Sequence, residues 1–402
     1  MKPSLRLEIK SLLHIAWPVV IGQLGHITVG LADSLMIGRT GAVPLAASAL
    51  ANSIFVIPLV FVIGVSYGVT PLVANADGQG DRDRIGSLLS QGIAINVIIS
   101  LLLTFLLIQS ISLMQHLGQP EGVRVLAAPY LGTLVWSMLP LMFFLSLKQF
   151  TEGLSDTRAA MVISLGSNVI NVILNYILIY GKLGVPAMGL MGAGYATLIS
   201  RIVMAIGMLG YMFFTPKYLA FRKELFPKQL VAIRIKRILH IGVPSGLQYI
   251  FEVGAAPLAA HQIAISLASV SYMAASGIGA ATTVRAGKAK GRNAPGAIGD
   301  TAYAAILLVV VLMTIAGITF ALGRNWLPTL YNDEVDVLKI VSQLLIVAVF
   351  FQLSDGLQVV GLSILRGVAD VKIPTLITFL TYWFFALPCC WYFGISRGGG
   401  VL

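Results

Sequence analysis

Long segments without a charged residue constrain this chain more than any other feature of its sequence. Because a helix needs about 20 apolar residues to cross a bilayer, each such segment can hold a membrane span. With 57% hydrophobic and only 11% charged residues, the sequence predicts a polytopic α-helical membrane protein. Strand-like alternation in segments of about 10 residues, the mark of a membrane barrel, does not occur. The uncharged segments are Thr40–Ala76, Ile85–Pro120, Val125–Leu147, Ala159–Gly181, Val253–Val284, Thr301–Gly323 and Ile373–Ser396.

An internal repeat divides the chain into two halves that run in the same order. Gly41–Gly78 aligns without a gap to Gly254–Gly291 at an offset of 213, with 12 of 38 positions identical. Flanking pairs extend it: Leu13-His-Ile-x-x-Pro18 resembles Leu239-His-Ile-x-x-Pro244, and Gly153–Asp156 resembles Gly367–Asp370. A repeat of apolar segments on this scale is typical of membrane transporters. The sequence therefore predicts two helical bundles related as parallel repeats.

The basic residues indicate the topology. The chain carries a net charge of +11, but 19 of its 27 Lys and Arg precede the first span or lie on the even-numbered turns between spans. This asymmetry is the positive-inside pattern, so it predicts a cytoplasmic N-terminus in a multi-pass inner membrane protein and no nucleic-acid partner. The two cysteines, Cys389 and Cys390, are adjacent in an apolar run, which predicts free thiols rather than a bridge or a metal site.

The span count differs between the halves. The first half predicts six spans within residues 1–216, followed by a basic cytoplasmic linker at 217–237. The second half, 238–402, predicts five: the counterpart of the sixth helix would begin after Leu402. Its first span, 238–254, reaches only about 25 Å, and we expect a tight, submerged turn at Gly254–Pro257 beside Glu252. The predicted spans lie near 11–37, from Pro44 onward, and at 85–113, 124–148, 158–181, 187–214, 238–254, 257–285, 298–322, 336–365 and 370–395.

Three acidic residues stand deep in apolar sequence: Asp33, Glu252 and Asp355. A charge within a membrane costs about 3 kcal/mol or more, so it usually has a task or a partner. Carboxylates attract organic cations, coordinate Na⁺ and take up protons on burial. The alternative is that each lies near a helix end and is hydrated.

Amides form the second group of candidates. Asn168, Asn171 and Asn175 recur at spacings of three and four, which places them on one stripe of a helix. Such a stripe lines a polar cavity or bonds neighbouring helices together. Gln23 lies on the first span and is a further polar candidate, with an interhelical hydrogen bond as the alternative. No Walker lysine motif occurs, so transport energy comes from an ion gradient or a partner, and we predict a transporter rather than an enzyme.

Five stretches of the chain carry a combined resemblance to a known family: Ala16–Pro18, Gly30–Gly38, Pro44–Ala47, Gly189–Thr197 and Pro257–Gln262. Together they resemble the multidrug and toxic compound extrusion (MATE) family, and the resemblance runs essentially from end to end. It implies two helical bundles around a cleft that export cationic compounds in exchange for Na⁺ or H⁺. By position, Asp33 and Asn175 look like the polar cavity of the first bundle. We predict that Asn171 and Gln23 join them in binding substrate or a proton. Glu252 and Asp355 look like a cation-coupling site able to hold Na⁺.

The function predicted from the sequence is therefore secondary antiport of cationic drugs or toxic organic compounds. No cofactor is predicted besides the coupling ion; the partners are small organic cations and the lipid bilayer, and the protein is predicted to be monomeric. Two alternatives stay open. One is a truncated, non-transporting remnant; the other is a lipid-precursor flippase of the same superfamily, which would need a strongly cationic cleft. Phe351 stands where some family members have a tyrosine one turn before the second acid.

Overall fold

A computed structural model describes residues 3–112, 114, 120–225, 231–253, 259–328, 335–390 and 392. These residues are almost entirely helical, and no strand occurs among them. The α-helices are α1 (Pro3–Gly38), α2 (Ala42–Ser66), α3 (Val69–Gln79), α4 (Arg82–Ile111), α5 (Glu121–Gly153), α6 (Arg158–Tyr180), α7 (Leu190–Phe214), α8 (Ala232–Val253), α9 (Ala259–Gly291), α10 (Pro295–Gly323), α11 (Val335–Gly367), α12 (Lys372–Leu380) and α13 (Leu387–Cys390).

The predicted class, an all-α polytopic membrane protein, is confirmed. Within the described residues, eight helical segments are long and apolar enough to cross a membrane. They correspond to the predicted spans 1 to 6, 9 and 10. The described part of the chain also contains α8 and α9 where spans 7 and 8 are predicted.

Two segments depart in detail from the prediction. Helix α8 begins at Ala232 and has 22 residues, or about 33 Å, because the basic residues at the end of the predicted linker continue the helix. The predicted last span is not one regular helix: a π-helical stretch at Thr381–Ala386 separates α12 from α13. Pro388 has no N–H for the carbonyl of Phe384, so the regular bonding pattern fails there.

The chain forms two compact units, and two prolines mark where they divide. Unit 1 comprises Met1–Val20, Ala74–Gly80 and Leu247–Leu402; unit 2 comprises Ile21–Val73 and Asp81–Gly246. Of the four divisions, the two inside α1 and α8 fall two residues after Pro18 and Pro244, and the other two fall on either side of Ala74–Gly80. A proline inside a helix removes one backbone hydrogen bond and bends the helix. Unit 1 thus contains the first half of α1, the helix that begins the first repeat. Unit 2 contains the first half of α8, the helix that begins the second repeat.

The internal repeat returns as matching side-chain contacts within the two units. In unit 2, Thr70 Oγ1 donates to the carbonyl of Gln149 over 3.1 Å. In unit 1, the equivalent Thr283 Oγ1 donates to the carbonyl of Ser363 over 3.0 Å. The repeat is therefore present in the structure as well as in the sequence.

The repeated glycine–aspartate turn has the same backbone in both copies. Ser155 and Ala369 both adopt the left-handed conformation, with φ of 64° and 59°. In each copy this residue donates its amide to the carbonyl three residues earlier, and the following aspartate donates to the carbonyl five residues earlier. Such bonding closes a helix C-terminus.

The turn that follows α5 in unit 2 is held by a partly buried aspartate. Asp156 Oδ2 accepts hydrogen bonds from Tyr211 (2.9 Å) and Tyr218 (2.6 Å), and Lys217 Nζ lies 3.9 Å away. Tyr218 belongs to a 3₁₀ helix at Pro216–Leu225, and burial together with its bond to Asp156 raises the pKa of its phenol. The start of the predicted linker is therefore a packed part of unit 2.

Candidate functional site: a carboxylate and an amide stripe in unit 2

Asp33 and Asn175, predicted to share a polar cavity, are bonded to each other. Asn175 Nδ2 donates to Asp33 Oδ1 over 2.5 Å and to Asn171 Oδ1 over 3.1 Å. Asn175 is fully buried and Asn171 nearly so, whereas Asp33 keeps part of its surface accessible. The carboxylate is thus anchored from its buried side and open on the other.

The local sequence explains why these side chains meet. Helix α6 ends at Gly181, whose φ of 67° is a left-handed cap that glycine adopts without strain. One residue earlier, Tyr180 donates its hydroxyl to the carbonyl of Met36 over 2.9 Å. This bond holds the end of α1 against the end of α6, so that Asp33 lies opposite Asn175.

The amide stripe continues towards α7. Asn171 Nδ2 donates to Ser200 Oγ over 3.4 Å. Asn168 packs where Gly25 leaves room: a Cβ on that glycine would lie 3.0 Å from Asn168 Nδ2. Among the described residues, Asn168 Nδ2 and Asn175 Oδ1 are buried without a hydrogen-bond partner. Buried polar atoms are normally satisfied, so the stripe has bonding capacity left for a ligand or water.

Unit 2 also contains functional candidates that the sequence did not place at the site. Arg201 Nη1 donates to Ser137 Oγ over 2.6 Å, and the guanidinium carbon lies 5.6 Å from the ring centre of Phe55. His26 Nε2 lies 3.2 Å from Ser164 Oγ. Neither position belongs to a sequence motif. The one available signal is the spacing of seven residues between His26 and Asp33, which places both on the same face of α1.

Two other ionisable residues in unit 2 pair with each other. Lys148 Nζ lies 3.7 Å from Glu152 Oε1, one turn along α5. Gln23 is half-buried on α1, ten residues before Asp33 and therefore about 15 Å away along the helix axis. Its place in the same site remains a prediction.

In unit 1, the predicted coupling acid Asp355 lies on α11 and is partly accessible. One turn earlier, the buried Gln352 exchanges hydrogen bonds with Ser271, Nε2 to Oγ over 2.8 Å and Oγ to Oε1 over 3.0 Å. Phe351, in the place of the family's tyrosine, is exposed.

The predicted partner of Asp355 cannot be placed beside it. Glu252 lies on the last turn of α8, but its side chain is outside the described residues, as is the predicted turn at Gly254–Pro257. Across the part of the chain that the structure describes, no group of three or more His, Cys, Asp or Glu is placed to hold a metal ion. The Na⁺ site at Glu252 and Asp355 therefore stays a prediction.

A repeated helical bundle with a partly buried carboxylate and buried amides among membrane-spanning helices is typical of a membrane transporter. This chain belongs to the MATE family: the MatE family model matches residues 18–177 and 248–392. It is an efflux transporter of the inner membrane that crosses the bilayer several times.

Curated relatives match nearly the whole chain. The multidrug resistance protein MdtK of Photorhabdus laumondii is 31% identical, with 97% of this chain and 88% of the relative covered. The probable multidrug resistance protein NorM of Idiomarina loihiensis is 29% identical, with 97% and 87% covered. The crystal structure of the eukaryotic MATE transporter AtDTX14 has a TM-score of 0.87 at 20% identity, covering 98% of this chain and 90% of that one. This structural likeness supports the fold.

Proposed function

We propose that this protein is a secondary antiporter that exports cationic organic compounds in exchange for Na⁺ or H⁺. The organic cation and the coupling ion bind in turn to the carboxylate of Asp33. The carrying observation is the bond from Asn175 Nδ2 to Asp33 Oδ1 inside apolar helices. A carboxylate without a cation there costs about 3 kcal/mol or more. Binding of either cation relieves that cost, and exchange follows because one carboxylate cannot neutralise both.

Asn175 suits this exchange because an amide serves both states of the acid. Its NH₂ group donates to the ionised carboxylate, as in the structure. Its Oδ1 is buried without a partner among the described residues, and rotation of the amide by half a turn would let that oxygen accept from a protonated carboxyl. The same rotation would turn Nδ2 away from Asn171 Oδ1, so the Asn171 amide would have to rotate with it to donate in turn to Asn175 Oδ1.

The second ion-binding position of the proposal is Asp355 in unit 1, with Glu252. Asp355 carries an accessible carboxylate one turn after a satisfied Gln352–Ser271 pair. A fixed polar pair beside a partly open acid favours a small ion over a large organic compound, since the pair restricts the space. We propose that this position sets the ion dependence of transport.

The remaining parts of the proposal concern topology and assembly. We propose that the N-terminus is cytoplasmic, from the excess of basic residues on the even-numbered turns. We further propose a monomer that needs no cofactor beyond the coupling ion and binds no nucleic acid.

Drug susceptibility of an efflux-deficient bacterium expressing the protein tests the proposal. Wild type is expected to raise the inhibitory concentration of a lipophilic cation such as ethidium, and Asp33→Asn to abolish that gain at equal membrane abundance. The matched control is Asp83→Asn, the same change at an exposed residue in the first turn of α4, which is expected to retain resistance. Full resistance in Asp33→Asn would contradict the role of this carboxylate.

A further inference from the structure

A partly buried cation near the middle of α7 has no part in the proposed exchange. Arg201 is the twelfth residue of a helix of 25 residues, so it lies about 16 Å from the helix start. A charge at this depth normally has a partner or a task. Arg201 packs beneath Phe55 and retains part of its surface accessible.

The charges around Arg201 do not neutralise it directly. Lys148 and Glu152 pair with each other, and Asp33 is bonded to Asn175. No carboxylate oxygen among the described residues lies within 4.0 Å of an Arg201 nitrogen. The guanidinium has several N–H donors, and within the described chain one of them is used, towards Ser137.

The surroundings hold the guanidinium in a fixed orientation. Ser137 donates its own proton to the carbonyl of Leu134 over 2.6 Å, so its lone pairs face Arg201. On the neighbouring residue of α7, Ser200 accepts from Asn171, which continues to Asn175 and Asp33. A carboxylate and a guanidinium thus belong to one polar layer that runs through α1, α6, α7 and α5 of unit 2.

We propose that Arg201 is a specificity-determining residue that binds the anionic group of amphoteric compounds, while Asp33 takes their cationic group. The inference rests on the proposed function, because it uses the same site. A compound with both charges would satisfy the free N–H donors of Arg201 and the open side of Asp33 together. A guanidinium suits a carboxylate because two parallel N–H donors match its two oxygens. A plain cation gains only the interaction with Asp33 and is repelled by Arg201.

Two related dyes separate these contributions. Rhodamine B is a zwitterion with a free carboxylate, and its ethyl ester is a plain cation of nearly the same shape. Binding of each to the purified full-length protein is measured by fluorescence anisotropy. In Arg201→Gln, the affinity for rhodamine B is expected to fall about tenfold or more, and that for the ester to rise about twofold or more.

The controls distinguish the inference from a structural role and from failure of the proposed function. Arg201→Lys keeps the charge without the paired donors, so rhodamine B affinity is expected to lie between those of wild type and Arg201→Gln. Asp33→Asn is expected to weaken both dyes, and unaltered binding there would contradict the proposed function. Parallel loss of both dyes in Arg201→Gln, or no change in their affinity ratio, would overturn the inference about Arg201 whatever Asp33→Asn does.

Discussion

The contact between α2 and α8 offers the sharpest test of packing inside unit 2. A Cβ built on Gly64 would lie 2.4 Å from the Cα of Gly246 and 2.6 Å from its nitrogen. Carbon atoms in contact normally lie about 3.5–4.0 Å apart, so Gly64→Ala must separate two backbones by about 1 Å. Overpacking of this kind costs about 1–3 kcal/mol.

The thermal stability of the detergent-solubilised protein measures this cost. With about 2–4 °C of melting temperature per kcal/mol for a unit of this size, Gly64→Ala is expected to lower the midpoint by about 2–12 °C. The repeat supplies a matched variant: at Gly277 the nearest atom is a side-chain methyl, Val20 Cγ2, at 2.2 Å, and the nearest backbone atom is the Ala16 oxygen, at 3.1 Å. Gly277→Ala should therefore be milder. Gly166→Ala, with nothing within 4 Å, should be neutral or slightly stabilising. Equal midpoints for all three would refute the reasoning.

Three further outcomes are expected. Tyr218→Phe removes a buried hydrogen bond to the Asp156 carboxylate and should lower unfolding stability by about 1.5–3 kcal/mol, measured by denaturation; no change would contradict the fastening role of the turn. Glu8→Gln leaves the partly exposed Arg285 without its carboxylate partner and should cost about 1–3 kcal/mol, whereas unchanged stability would mean the pair contributes nothing. Asp355→Ala should remove the dependence of efflux on an imposed Na⁺ or H⁺ gradient in vesicles. Retained dependence on the gradient would contradict the role of Asp355 in ion coupling.

Much of the fold follows from the sequence because a membrane span depends on local composition. The runs without charge predict where helices lie, and the glycine–aspartate repeat predicts turns that prove alike at Ser155 and Ala369. The amide stripe of α6 is likewise local, since spacings of three and four fix one face of a helix. The pairing of Asp33 with Asn175 came from the family resemblance. The two side chains are hydrogen-bonded, and their role in binding stays a prediction.

Features that depend on how helices rotate against one another could not be predicted. The bond from Arg201 to Ser137 joins α7 to α5, and no periodicity within either helix specifies which faces meet. The division of α1 and α8 at their prolines has the same origin: Pro18 and Pro244 predict a bend, but not which half packs in which unit. Helix α8 is longer than the predicted span because a helix can continue beyond the membrane core, where basic residues such as Arg234 and Lys236 are compatible with it.

The central claim is that organic cation and coupling ion compete for Asp33. Its most direct test is binding of radiolabelled tetraphenylphosphonium to the purified protein over a series of pH values and Na⁺ concentrations. Wild type is expected to bind more weakly as H⁺ or Na⁺ rises, and Asp33→Asn to bind weakly with no dependence on either ion. Asp33→Asn that binds as tightly as wild type, with the same ion dependence, would contradict the account.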